Sequence, residues 1–186
     1  MRCGLLGEKL GHSYSPALHA LFGDYDYELF EVSPDRLGGF LRVRDFQGLN
    51  VTIPYKTTML AICDDLTETA ATIGSVNTVL KQLDGSLLGD NTDAAGFEGM
   101  VWKSRIRILG RKCLVLGSGG ASLSAQYVLR KLGAGEVVVI SRTGENNYDN
   151  LDRHQDAAVI VNATPVGMYP NTAASPVDLR QFPHCE

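Results

Sequence analysis

Lys112-Cys113-Leu114-Val115-Leu116-Gly117-Ser118-Gly119-Gly120-Ala121 is the stretch that decides how this chain folds. Lys112–Leu116 reads as a short buried strand, and a glycine turn follows it. Ala121, Ala125, Val128, Leu129 and Leu132 then recur at helical spacing, and Gly133 ends that helix. Strand, Gly-x-Gly turn and helix in this order form the arrangement that binds dinucleotides. Gly117 permits the tight turn, and Gly119 lets backbone approach a pyrophosphate at the positive end of the helix. Ser122 stands where a third glycine often lies and is small enough for close helix–strand packing. The alternative is a plain turn in an α/β sheet, which the legible flanking elements weigh against.

Working outward, residues 137–140 read as a second strand, β-branched enough for a buried parallel position, and residues 157–161 as a third. An acid at the end of the second strand would bind a ribose 2′-hydroxyl. This chain has Ser141-Arg142-Thr143 there instead. A guanidinium pairs with a 2′-phosphate, which points to NADP over NAD. The alternative is an arginine on a solvent-exposed loop.

Upstream, residues 3–6, 27–32 and 49–52 read as strands and residues 16–22, 34–43 and 54–62 as helices. Each of these helices opens on proline, which suits a first helical turn. Ser15 and Ser33 precede two of the prolines as expected N-caps. Strand alternating with helix argues for a mainly parallel sheet. Residues 76–82 and 86–88 flank Asp84-Gly85, which predicts a hairpin closing that sheet. A helix from about Thr92 places Phe97, Met100 and Val101 on one face. The basic stretch 103–110 then serves as connector. The expected fold is thus α/β: a mainly parallel substrate domain over 1–103 and a Rossmann-like NADP-binding domain, incomplete, over 104–186.

Bulk properties exclude several classes. The chain has 186 residues, 44% hydrophobic and 20% charged, with a formal net charge of −4 and no basic run, so nothing favours nucleic acid. Cys3, Cys63, Cys113 and Cys185 lack metal-ligand spacing and read as buried thiols. With neither a signal peptide nor a membrane-length apolar run, the expectation is a cytoplasmic protein.

Candidate chemistry lies in the first half. Lys56, in Asn50-Val51-Thr52-Ile53-Pro54-Tyr55-Lys56, and Asp93, in Asp90-Asn91-Thr92-Asp93, stand at two strand-to-helix junctions. Brought together, ammonium and carboxylate would suit moving a proton on and off a hydroxyl. If Pro54 opens a helix, Lys56 faces the positive end of its dipole, which disfavours the charged amine by roughly 0.3–1 kcal/mol. A nearby aspartate acts in the opposite sense. The alternative is a capping aspartate and a surface lysine that never meet. Ser13, Ser15 and Asn77 would give the short polar lining that a polyhydroxylated ligand needs. His12 lies beside them, and His19, His154 and His184 read as structural or exposed.

At this point the motifs resemble a known family. Gly11-His12-Ser13-Tyr14-Ser15-Pro16, the segment Asn50 to Lys56, Ser75-Val76-Asn77-Thr78, Gly89-Asp90-Asn91-Thr92-Asp93, the glycine turn and Asn162-Ala163-Thr164-Pro165-Val166-Gly167-Met168 are similar, in order, to shikimate dehydrogenase. The resemblance implies reversible reduction of 3-dehydroshikimate to shikimate with NADPH, in aromatic amino-acid biosynthesis. It implies Lys56 as proton donor and acceptor with Asp93 as partner. It implies Ser13, Ser15, Thr52, Asn77 and Asp93 as substrate ligands. Gly117, Ser118, Gly119, Gly120 and Ala121 would hold the pyrophosphate, and Ser141, Arg142 and Thr143 the adenosine phosphate, with Glu68 a further position near the cofactor. A homodimer is left open.

Two departures stand out. Asn146 occupies a position where many NADP-using members carry a second basic residue. After Asp178-Leu179 the sequence stops at Glu186, where members of the family continue. The expectation is a truncated chain of reduced activity, with apolar surface left uncovered on the helix after the glycine turn and on the third strand. The competing expectations are an NAD-preferring quinate/shikimate dehydrogenase and a non-catalytic shikimate-binding module.

Overall fold

The strand β1 (Arg2–Gly7) pairs in parallel with β2 (Asp26–Glu31) on one side and β3 (Gly48–Val51) on the other. The computed structural model to which it belongs describes residues 1–11 and 13–185, so His12 lies outside the described residues. The chain divides into two compact units, Met1–Thr92 and Asp93–Glu186.

In the first unit the sheet order is β2-β1-β3-β5-β6-β4. β5 (Thr78–Lys81) and β6 (Leu87–Asp90) form the expected hairpin, with Gln82 N–H donating to the Ser86 carbonyl at 2.8 Å. The hairpin does not close the sheet. The two-residue strand β4 (Asp65–Leu66), too short to leave a sequence pattern, pairs outside β6 in parallel. The pairings of β5 with β3 and β6 are antiparallel and the other three are parallel. Leu6, Phe46, Met59, Val76, Val79 and Leu87 are fully buried in this unit's core.

The helices depart from expectation in three places. α1 spans only Ser15–His19 and buries none of its residues. Tyr14 occupies its N-cap, so Ser15 is inside the helix rather than capping it. Without a buried face, little tertiary packing supports a longer helix, and Leu21 and Phe22 remain exposed. α2 (Pro34–Val43) does follow Ser33, and buries Leu37 and Leu41. The expected helix over 54–62 is a run of turns ending in the 3₁₀ segment Thr58–Ala61. Tyr55 and Met59 are buried here, and the Tyr55 hydroxyl donates to the Val32 carbonyl. The β-branched pair Thr57-Thr58 is a poor α-helix former, so side-chain anchoring decides the backbone. A further helix, α3 (Glu68–Ile73), lies under β4 and β6 and is capped by Thr67, whose Oγ1 accepts the Ala70 N–H at 3.2 Å.

The second unit begins with α4 (Asp93–Ser104). Val101 is buried and Phe97 packs on the core, but Met100, expected beside them, is exposed. Three parallel strands follow: β7 (Lys112–Leu116), β8 (Glu136–Ile140) and β9 (Val159–Asn162), in the order β8-β7-β9. α5 (Gly120–Lys131) connects β7 to β8 and ends before Gly133. Cys113 and Val115 face α5, while Leu114 and Leu116 face Leu151, Val177 and Phe182. Ala125, Val128 and Leu129 of α5 are buried, whereas Ala121 is exposed and Leu132, just past the helix, is only half-buried. On β9, Val159 is buried and Ile160 and Val161 are half-buried.

None of the four cysteines forms a disulfide. Burial pushes the Cys63 and Cys113 thiols up to about 11, which keeps them protonated and poorly nucleophilic. Among the described residues no helix is long and apolar enough to cross a membrane, and no cluster of His, Cys, Asp and Glu could hold a metal ion.

Candidate active site

In the first unit the polar candidates lie on the segments that follow β1 and β3 and at the start of the hairpin. Ser13 Oγ accepts the Ser15 N–H at 3.2 Å and donates to Ser15 Oγ at 3.1 Å, which pairs the two hydroxyls. Thr52 follows β3 and is half-buried, its N–H bonded to the Leu6 carbonyl at 2.9 Å. Asn77, 8% exposed, lies just before β5. Its backbone joins Val51 and Asp90, and its side-chain oxygen accepts the Thr92 N–H at 2.8 Å and the Thr78 hydroxyl at 3.0 Å.

Lys56 is half-buried, and its carbonyl accepts the N–H of Val76, the residue before Asn77, at 2.8 Å. The segment that fixes the asparagine therefore also fixes the backbone of the lysine. Lys56 lies in the turns ahead of Thr58–Ala61 rather than in the first turn of an α-helix, so the dipole effect expected on its amine has no helix to produce it. Glu68 is the exposed first residue of α3.

Two residues that sequence reasoning missed support this region. The Tyr27 hydroxyl donates to Asn50 Oδ1 at 2.7 Å, and His19 stacks on the Tyr27 ring with centroids 3.7 Å apart. Burial pushes the Tyr27 phenol up to about 12, which keeps it protonated as a donor. Tyr27 and Asn50 are on strands two positions apart in the sheet, a meeting that no local motif announces.

In the second unit Asp93 is the half-buried first residue of α4, a place where helix electrostatics favour a carboxylate. The glycine turn follows β7. Gly117 has φ +106°, and a Cβ there would stand 3.0 Å from the Ala163 carbonyl oxygen and 3.1 Å from Thr164 Cγ2. The turn after β7 thus abuts the turn after β9. Strand order reverses between these two strands, which is where open α/β sheets bind ligands. Gly119 is the N-cap of α5, and a Cβ there would meet nothing within 4 Å. The space beside that backbone is open to an anion at the start of a helix of 12 residues. Ser122 is fully buried, as close packing of α5 on the sheet requires. Thr164 is held by Asn162, whose Oδ1 accepts its N–H at 3.0 Å and its hydroxyl at 2.7 Å.

Ser141, Arg142 and Thr143 follow β8, next to the glycine turn, because the Gly117 N–H donates to the Ile140 carbonyl at 2.8 Å. Arg142 and Thr143 are exposed. Asn146, in the position of the second basic residue, bonds its Oδ1 to His154 Nε2 at 3.0 Å. A pyrophosphate at the glycine turn and a phosphate near Arg142 both fit these features.

Comparison with known proteins agrees with the motifs. The shikimate dehydrogenase substrate binding domain matches residues 5–79. A shikimate dehydrogenase (NADP(+)) of Clostridium perfringens strain 13 is 37% identical over 190 residues, covering 91% of this chain and 70% of the relative. The crystal structure of shikimate dehydrogenase 1 from Peptoclostridium difficile superposes with a TM-score of 0.89 at 34% identity, covering 99% of this chain and 74% of that one. Shikimate 5-dehydrogenase from Thermus thermophilus, in complex with NADP(H) and shikimate, gives 0.84 at 37% identity, covering 98% and 75%. With a relative at this identity aligned over most of both sequences, the chain belongs to the shikimate dehydrogenase family.

Proposed function

We propose that this protein is an NADP-dependent oxidoreductase that interconverts 3-dehydroshikimate and shikimate. The observation that carries the reading is the Gly117–Gly119 turn at the switch point of a parallel sheet, with Arg142 rather than a carboxylate after the neighbouring strand. When bound, NADP supplies or accepts the hydride. Backbone at Gly117, Ser118, Gly119, Gly120 and Ala121 holds its pyrophosphate, and Ser141, Arg142 and Thr143 hold its adenosine phosphate. Glu68 is assigned to the cofactor as well.

The protein's own groups handle the proton and the ligand. Lys56 gives a proton to, or takes one from, the substrate oxygen at the reacting carbon, with Asp93 as the second catalytic group. Ser13, Ser15, Thr52, Asn77 and Asp93 bind the hydroxyls and carboxylate of the substrate. Asn77 has the firmest support among them, because its side chain is locked before any ligand arrives. The substrate domain is assigned to 1–103 and the NADP-binding domain to 104–186.

Shikimate-dependent reduction of NADP+ by the purified chain tests the reading. Turnover with NAD+ or quinate in preference would replace it, and shikimate binding without turnover would leave a binding module. A homodimer and a cytoplasmic location complete the proposal. Exposed Trp102 and Leu109 line an apolar groove of about 350 Å³ that favours self-association, and sedimentation and cell fractionation check the two points.

A further inference from the structure

The turn over residues 141–146 is tied down by its own side of the fold. The Ser141 N–H closes it on the Asn146 carbonyl at 3.1 Å. Asn147 Nδ2 donates to the Gly144 carbonyl at 3.2 Å, and Asn150 Nδ2 to the Glu145 carbonyl at 2.9 Å. The last tie is Asn146 Oδ1 to His154 Nε2, from the end of the 3₁₀ segment Tyr148–His154. An amide oxygen only accepts, so Nε2 carries the imidazole proton. His154 is 7% exposed, and its Nδ1 is buried with no hydrogen-bond partner.

The charges facing this ring are Lys112 from β7, Glu136 from β8, and Arg153 and Asp156 beside it in sequence. Lys112 pairs with Asp156 at 2.8 Å and Glu136 at 3.5 Å, so the two signs are nearly matched. Burial then decides, and holds the imidazole below its ordinary value. A proton added at Nδ1 would bring an unmatched N–H and a charge into a dry site.

We propose that His154 is a positioning residue for the cofactor: its neutral ring, by holding Asn146, sets the turn that presents Arg142, and acid loosens that turn. This rests on the cofactor reading above. The charged ring keeps its Nε2–H, so acid acts by turning the ring out of its dry site toward water; that withdraws the donor from Asn146 and leaves the sheet intact, and the effect falls on the 2′-phosphate contact.

Calorimetric titration of the full chain with NADP+ between pH 7.5 and pH 4.5 tests it, alongside His154→Gln, Asn146→Ala and Arg142→Ala. Glutamine keeps a donor near the Nε2 position and cannot titrate. The 2′-phosphate ionises near about pH 6 itself, but that contribution is common to all the proteins and cancels in their ratios. The unmodified chain is expected to lose about fivefold more affinity than His154→Gln across the window, the worth of one hydrogen bond. Asn146→Ala is expected to bind weakly at both ends and to abolish the difference. Parallel pH slopes in the unmodified chain and His154→Gln, with Arg142→Ala weakened, overturn the role of His154 alone. Unchanged NADP+ binding in Arg142→Ala overturns the cofactor reading and this inference with it.

Discussion

Asn77 accepts the backbone N–H of Thr92 through its side-chain oxygen at 2.8 Å, while the N–H of its neighbour Val76 bonds the Lys56 carbonyl at 2.8 Å. One short segment thus fixes the lysine turn and the residue preceding Asp93. In Asn77→Ala the Thr92 N–H and the Thr78 hydroxyl lose their acceptor. A loss of about 1–3 kcal/mol in urea unfolding is expected, together with a raised KM for shikimate. An unchanged KM would remove Asn77 from the substrate site.

Lys56→Ala separates chemistry from binding. If Lys56 moves the proton, kcat should fall by about 10²–10⁴-fold. NADP+ affinity, measured by calorimetry, should stay the same. Loss of NADP+ affinity in step with kcat would mean that the change damaged the fold.

Gly117→Ala tests the glycine turn. At φ +106° with a carbonyl 3.0 Å away, the new methyl group has neither a relaxed backbone nor room. The backbone conformation alone costs about 1–2 kcal/mol. The denaturation midpoint should fall and the Kd for NADP+ should rise. Gly119→Ala, whose methyl meets nothing within 4 Å, should unfold like the unmodified chain and lose only cofactor affinity.

Acid stability should depend on Asp64. Its carboxylate accepts the Leu87 N–H at 2.8 Å and pairs with Arg44 at 3.0 Å, and these contacts hold it below the usual carboxylate range. The unfolded chain binds the proton more readily, so this contribution is complete above about pH 4 and is lost as pH falls through the lower folded value. Asp64→Asn should flatten that part of the stability profile, as read by thermal unfolding at successive pH values. An unaltered acid limb would show that other carboxylates dominate it.

Sequence reading succeeded where one local rule sufficed. Strand, glycine turn and helix at 112–131, and the hairpin at Asp84-Gly85, each carry their own signature and are found in place. It failed where tertiary anchoring overrode local preference. Proline at the start of 54–62 suggested a helix, but burial of Tyr55 and Met59 draws that segment into turns. β4 is two residues long and has no periodicity to detect. In the candidate site Ser13, Ser15, Lys56 and Asn77 are proposed from type and motif. Tyr27 on Asn50 and His154 on Asn146 were not legible, because each pairing depends on how distant segments are laid side by side.

The order of β4 and β6 bears on how the first unit assembles. β4 leaves the ribosome before β6, the strand it pairs with, exists, and β6 must first fold back along β5. The Asp64 carboxylate finds the Leu87 N–H only after that reversal. Amide protons around Asp65 and Leu66 should therefore gain protection from exchange late in synthesis, in step with the returning arm of the hairpin.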